Sequence, residues 1–191
     1  MGFFETNKEN ITEFKPINLK NGILEIHPFR VSEAERDNEV VNDLFEIFGD
    51  ISQIPFKKEK LVKNKKDINT YSIVSDYHLK IQYTHFLSHI QSKKIIGKII
   101  ICPPIKEYIQ FDSTLKNTWI IEFYLNKSFW NKGIMSGIIP AVVRGMQDQN
   151  IKKVGAVVDK LNFGSIRILE KSGLKRIKQF DDLKDLYVSA I

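Results

Sequence analysis

Three places in the sequence hold residue types that could do chemistry. At 129–137 (FWNKGIMSG) a lysine and two glycines stand where an apolar stretch hands over to a helical pattern. The amides of a helix N-terminus and the positive end of its dipole make an anion site there, and glycine lets a phosphate approach the backbone. An ordinary helix start after a strand would read the same. The spacing is not that of a P-loop, because no Lys-Ser/Thr follows the glycine, nor that of a dinucleotide fingerprint, because the three-glycine spacing is missing. At 162–167 (NFGSIR) Asn162 and Ser165 can cap a short helix, and the same amide and hydroxyl can be presented across a cleft between neighbouring strand ends. Glu122 is the only acidic residue in the apolar stretch 117–126 (NTWIIEFYLN). A period of two puts Ile120, Glu122 and Tyr124 on one face and Trp119, Ile121, Phe123 and Leu125 on the other. Beside Tyr124 and large apolar groups a carboxylate is expected to keep its proton to higher pH, as a general base requires; the alternative is a solvent-facing strand position.

Those residues need elements to position them. Residues 117–126 predict a strand, 133–149 a helix and 151–159 (IKKVGAVVD) a second strand, together a right-handed βαβ crossover with two parallel strands. A short helix at 163–172 stops at Gly173, and 174–180 and 183–189 read as two closing strands. Pro140 falls inside the longer helix; lacking an N–H, it leaves the Ser136 carbonyl without its helical donor and is expected to kink the helix. Earlier, 23–29 predicts a strand ended near Pro28. Ser32 and Glu35 form a capping box ahead of Val41, Leu44, Phe45 and Phe48 on one helical face, with Gly49 as the stop. Strands near 77–86 and 93–102 follow as a meander, with Pro103 and Pro104 closing the second. Residues 1–22 lack clear periodicity, Asn21-Gly22 is a turn signal, and the stretch reads as an N-terminal arm before a single domain at 23–191. The basic run 57–66 (KKEKLVKNKK) has no interleaved aromatic residues and reads as a solvated helix or loop.

Composition narrows the function classes. With 191 residues, 42% hydrophobic and 27% charged, and with 13 Phe and 2 Trp, the chain is that of one soluble domain with a sizeable core. Its longest apolar runs, 99–102 and 138–143, stop far short of the roughly 20 residues a membrane helix needs. Cys102 is the single cysteine, so neither an intramolecular disulfide nor a cysteine-rich metal site can form, and a reducing, cytoplasmic location is expected. His85 and His89 can share a strand face, yet no cysteine or carboxylate completes a metal set, so no metal is expected. The net charge of +6 hides an asymmetry: residues 1–92 carry 12 basic and 14 acidic side chains, residues 93–191 carry 17 and 9. An anionic partner is therefore expected on the second half, where nucleic acid, acidic protein and a polyphosphate cofactor all remain open.

In their order these pieces resemble the GNAT acyltransferase superfamily, and within it the ribosomal-protein N-terminal acetyltransferase-like branch. A glycine turn lies between strand and helix, a parallel strand follows, and Asn-x-x-Ser opens a short helix that ends Lys-Ser-Gly-Leu. The likeness runs from about residue 23 to 187, is sharpest over 130–136 (WNKGIMS) and 162–174 (NFGSIRILEKSGL), and is supported by the strand-and-helix stretch 26–48. It implies an α/β fold: a mixed, twisted central sheet with flanking helices, antiparallel in its first half, whose two parallel strands splay apart. It also implies an enzyme, an N-acetyltransferase with acetyl-CoA as co-substrate. Backbone groups of Phe123, Tyr124 and Leu125 would hold the pantetheine arm like an added strand. The turn Asn131, Lys132, Gly133, Ile134, Met135 and Ser136 would bind the pyrophosphate, and the Asn162 side chain would secure the arm. Glu122 would act as general base and the Ser165 hydroxyl would meet the departing thiolate.

The sequence departs from the family pattern at several positions. Trp130 stands where many members have Gln or Arg, Met135 where Gly or Ala is usual, and Leu174 for a common Phe. Leu169 stands where some members place a catalytic Tyr, which leaves Ser165 as the substitute. Arg167 and Lys171 read as solvated or at the cofactor's rim. The implied acceptor is a primary amine, on a peptide N-terminus or a small molecule; no membrane partner is expected, and a homodimer is admitted. The alternative is a non-catalytic acyl-CoA or nucleic-acid binding module on the same scaffold, motivated by the basic charge and the missing tyrosine.

Overall fold

The computed structural model describes residues 14–15, 17–28, 42–44, 46–47, 84–104, 109–110 and 112–189. In chain order they form β1 (Leu19–Asn21), β2 (Leu24–Pro28), β3 (Thr84–His89), β4 (Ile95–Cys102), β5 (Thr118–Leu125), α1 (Ile134–Asp148), β6 (Lys153–Asp159), α2 (Phe163–Lys171), β7 (Leu174–Gln179) and β8 (Lys184–Ser189). The strands make one mixed eight-stranded sheet in the order β1-β2-β3-β4-β5-β6-β8-β7. The described residues fall into two compact units, those within 16–100 and 123–134, and those within 1–15, 101–122 and 135–191.

The first unit is antiparallel, as expected for the first half. β1 and β2 form a hairpin whose turn needs Gly22 at φ +60°, the conformation that Asn-Gly sequences favour. β2 pairs with β3, Ile26 opposite Leu87, and β3 pairs with β4, His85 opposite Ile99, with a register shift between Leu87 and Ser88. Ile26, Phe86, Leu87, Ile96 and Ile99 are buried. β4 ends at Cys102, directly before Pro103 and Pro104, because proline cannot donate to a ladder. The stretch read as an arm supplies β1, and His85, only 1% exposed, accepts the Ile17 N–H through Nε2 at 3.0 Å. That bond places the ring proton on Nδ1 in the neutral imidazole. The capping box at Ser32 and Glu35, Phe45, Phe48, Gly49, the basic run 57–66 and the first part of the strand read at 77–86 lie outside the described residues.

The second unit holds the parallel pair. β5 and β6 run parallel with Thr118 opposite Lys153, Trp119 opposite Val154 and Ile120 opposite Gly155. β6 then pairs antiparallel with β8, and β8 with β7. Helix α1 connects the parallel strands and buries Met135, Ile138, Ile139, Val142, Val143 and Met146, the i, i+3, i+4, i+7 stripe that its sequence encodes. The helix runs through Pro140 from Ile134 to Asp148. Gly155 is required by its neighbours: a Cβ there would stand 2.9 Å from Thr118 Cγ2 and 3.2 Å from both Ile120 Cδ1 and the Tyr187 carbonyl oxygen. Asp185 accepts two bonds from Arg176, at 2.6 and 2.9 Å, and this bidentate guanidinium holds its carboxyl below the usual carboxylate range.

Candidate active site

β5 changes character along its length. Thr118, Trp119, Ile120 and Ile121 are buried, whereas Glu122, Phe123, Tyr124 and Leu125 are half-buried. The change coincides with the end of the parallel ladder at Ile120 and Gly155, although β5 continues to Leu125 and β6 to Asp159. The parallel register thus stops short of the ends of both strands, as expected of a pair that splays. Glu122 sits where the exposure begins.

A tight turn leads from β5 to α1. Asn126, 4% exposed, caps a 3-10 turn (Lys127–Phe129): its Oδ1 accepts the Ser128 N–H at 2.9 Å and its Nδ2 donates to Glu46 Oε2 at 3.0 Å. Glu46 also meets Lys94 at 2.8 Å; that hydrogen bond leads the effects that lower the Glu46 pKa, and the same bond raises that of Lys94. The Trp130 indole N–H donates to the Leu125 carbonyl at 2.8 Å. Asn131 and Gly133 then take φ +58° and +72°, on either side of Lys132. Alternation of left-handed residues in a turn aims successive N–H groups into one concavity. The Lys132 ammonium lies 5.1 Å from the centre of the Phe129 ring.

The start of α1 differs from those of the 3-10 turn and of α2. Asn126 caps the 3-10 turn and Asn162 caps α2, its Oδ1 accepting the Ser165 N–H at 3.1 Å. Among the described residues no side chain accepts from the first-turn amides of α1, and that turn holds no acidic residue. Four such N–H groups normally need a partner from outside the helix. Lys171, from the last turn of α2, directs its ammonium at Ser136 Oγ, 3.5 Å away. The chemistry this arrangement can do is to bind an anion: outward amides, a helix dipole and a nearby ammonium.

Every candidate site residue read from the sequence, from Glu122 to Ser165, is described. The structure brings together Asn162 with Ser165, through the cap. Met135 is buried in the α1 core, while Asn131, Lys132 and Gly133 are exposed and Ile134, Ser136, Asn162 and Ser165 are half-buried. Leu169, at the position where a tyrosine acid is absent, is 1% exposed and belongs to the core. The sequence reading missed the bonds of Asn126 and of the Trp130 indole. An Asn directly after an apolar strand and two residues before Ser128 was a signal for the first; nothing local signals the second.

A family model described as the acetyltransferase (GNAT) domain matches residues 38–175. No curated protein matches the chain. Among solved structures, a ribosomal-protein-S5-alanine acetyltransferase from Vibrio fischeri superposes with a TM-score of 0.67 at 13% identity, over 91% of this chain and 96% of its own. A ribosomal L7/L12 alpha-N-protein acetyltransferase in complex with coenzyme A gives 0.61 at 14%, over 90% and 96%. An acetyltransferase of the GNAT family from Bacillus anthracis gives 0.61 at 19%, over 90% and 96%. At these identities the structural likeness is one of fold, while the domain match spans most of the chain. The protein therefore belongs to the GNAT acetyltransferase family, as an acetyl-CoA-dependent acetyltransferase.

Proposed function

We propose that the protein acetylates a primary amine, on a protein N-terminus or a small molecule, by direct attack of the amine on the thioester of acetyl-CoA. The observation that carries this reading is the uncapped first turn of α1 beside a turn with φ positive at Asn131 and Gly133, reached from a strand whose ladder has ended. Acetyl-CoA supplies an activated acetyl thioester and several phosphate charges. On this reading the backbone of Phe123, Tyr124 and Leu125 pairs with the pantetheine arm as a ligand strand. The amides of Asn131, Lys132, Gly133, Ile134, Met135 and Ser136 receive the pyrophosphate, and the Asn162 Nδ2, which its capping bond leaves uncommitted, secures the arm.

Glu122 takes the proton from the acceptor ammonium, directly or through water, because only the free amine is a nucleophile. A strand amide of the 123–125 stretch stabilises the negative charge that develops on the carbonyl oxygen, and Ser165 Oγ meets the departing sulfur. The likeness to two ribosomal-protein acetyltransferases supports a protein N-terminus as the acceptor. Calorimetry with acetyl-CoA, followed by coenzyme-release assays over a panel of peptides and small amines, tests the reading; absence of binding at millimolar acetyl-CoA would end it.

The non-catalytic alternative rests on one observation, the buried Leu169 in place of a tyrosine acid. It expects acetyl-CoA to bind with no coenzyme released against any amine, or steeply salt-dependent binding to DNA or RNA.

A further inference from the structure

The polar edge that β5 offers beyond its parallel ladder has a fixed end. The Asn126 N–H donates to the Ile96 carbonyl of β4 at 2.8 Å. Successive residues of an extended strand direct their backbone groups to opposite edges. Tyr124 therefore faces β4, as Asn126 does, while Phe123 and Leu125 direct their N–H and C=O groups to the other edge, where the ladder with β6 has stopped at Ile120 and Gly155. Of the four groups on that edge, one is taken: the Leu125 carbonyl accepts the Trp130 indole N–H at 2.8 Å. The indole is held there by its own turn. Phe129 N–H donates to Asn126 O at 2.9 Å, Trp130 N–H to Lys127 O at 3.0 Å, and the Asn126 side chain accepts the Ser128 N–H at 2.9 Å. An indole has one donor and no acceptor, so its polar capacity is spent on Leu125.

We propose that Trp130 is a positioning residue that sets the register of the pantetheine arm along β5. The inference rests on the acetyl-CoA reading above. An arm that pairs with this edge finds the N–H and C=O of Phe123 and the N–H of Leu125, and is denied the Leu125 carbonyl. A strand-like ligand can slip only in two-residue steps, about 6.6 Å at 3.3 Å per residue. One step toward Leu125 carries the thioester a full step away from Glu122. Blocking the last carbonyl removes that register, so Trp130 acts on where the acetyl group lies more than on how tightly the coenzyme is held. A Gln or Arg side chain at this position would carry several donors on a flexible stem; here the position holds a rigid ring with a single donor.

The test uses full-length protein, acetyl-CoA carrying 13C at the acetyl carbonyl, and no acceptor amine. With two tryptophans in the chain, Trp130→Phe identifies the Trp130 indole signal in 15N spectra, and Trp119, buried at 6% exposure, reports folding. In the wild type the Trp130 indole proton should stay hydrogen-bonded and slow to exchange at saturating coenzyme. Trp130→Phe should change affinity by no more than about tenfold, the range of one net hydrogen bond. The bound carbonyl resonance should meanwhile move back toward its free value. Three results overturn the proposal: the indole bond opens when coenzyme binds, the variant keeps both affinity and carbonyl resonance, or it loses affinity with the resonance unchanged. If Trp130→Phe does not fold, linking each indole signal to its own backbone in the wild-type spectrum makes the assignment, and the Trp130 signal still decides. No binding of acetyl-CoA to the wild type sinks the coenzyme reading itself, and this inference with it.

Discussion

An ammonium cannot attack a thioester, so a base should write its signature on the pH profile. Glu122→Gln is expected to lower kcat by on the order of 10²-fold at neutral pH, with acetyl-CoA affinity nearly unchanged and partial recovery at high pH, where free amine accumulates. Steady-state rates across about pH 6 to 9 check this; full activity throughout returns Glu122 to an ordinary strand residue. Ser165→Ala should cost less, since a thiolate leaves tolerably without an acid. Asn162 has two roles that substitution can separate. Its Oδ1 caps α2, so Asn162→Ala should cost about 1 kcal/mol of stability, whereas Asn162→Ser keeps a capping oxygen and most of that stability. If the Nδ2 holds the coenzyme arm, both variants bind acetyl-CoA more weakly. Denaturant melts beside calorimetry make the comparison, and Asn162→Ser with wild-type affinity would assign Asn162 to capping alone.

The parallel pair owes its geometry to one glycine. Gly155 stands on the last rung of the β5–β6 ladder, and the contacts a Cβ would meet include a backbone oxygen that cannot rotate away. Gly155→Ala should destabilise by about 1 to 3 kcal/mol, the range of overpacking in a closed core, read as a lower denaturant midpoint at unchanged m-value. The strands of this region were legible because period two and glycine stops agree: 117–126 against Thr118–Leu125, 151–159 against Lys153–Asp159, and Gly173 ending α2. The end of the ladder was legible only through the family resemblance, not from the strand itself. Nothing in IIEFYL says that pairing stops after Ile120, because separation of two strands is decided by what packs on each, not by either sequence alone. Lys98 shows the same limit: no pattern in IIGKIIIC marks its lysine as buried, and it is only 4% exposed. The turn 129–137 was legible through its glycine and the helical stripe after it, while the bond from Trp130 to Leu125 depends on a fold-back of the chain that no spacing encodes.

At the scale of the whole molecule, each compact unit carries a carboxylate held below its ordinary range, Glu46 chiefly by its hydrogen bond to Lys94 and Asp185 chiefly by its bonds to Arg176. A carboxyl depressed in the folded state contributes stability that is complete above its unfolded pKa and is lost as pH falls through the folded one. Stability should therefore decline in acid below the ordinary carboxylate values of 4.5 for Glu46 and 3.8 for Asp185. Asp185→Asn should be less stable at neutral pH and show a shallower acid loss; an unchanged slope from about pH 5 downward would remove Asp185 from the account. The start of α1 has a different consequence. Two of the three helix starts described above are completed by the chain's own asparagines, and the third has no such completion. A phosphate seated there would serve as the absent cap, so the apoprotein is a fold with its final piece held in solution. Saturation at a hundredfold over Kd should add about 2.7 kcal/mol, and amide exchange should slow first at residues 134–137, making the uncapped turn a gauge of how much coenzyme the molecule carries.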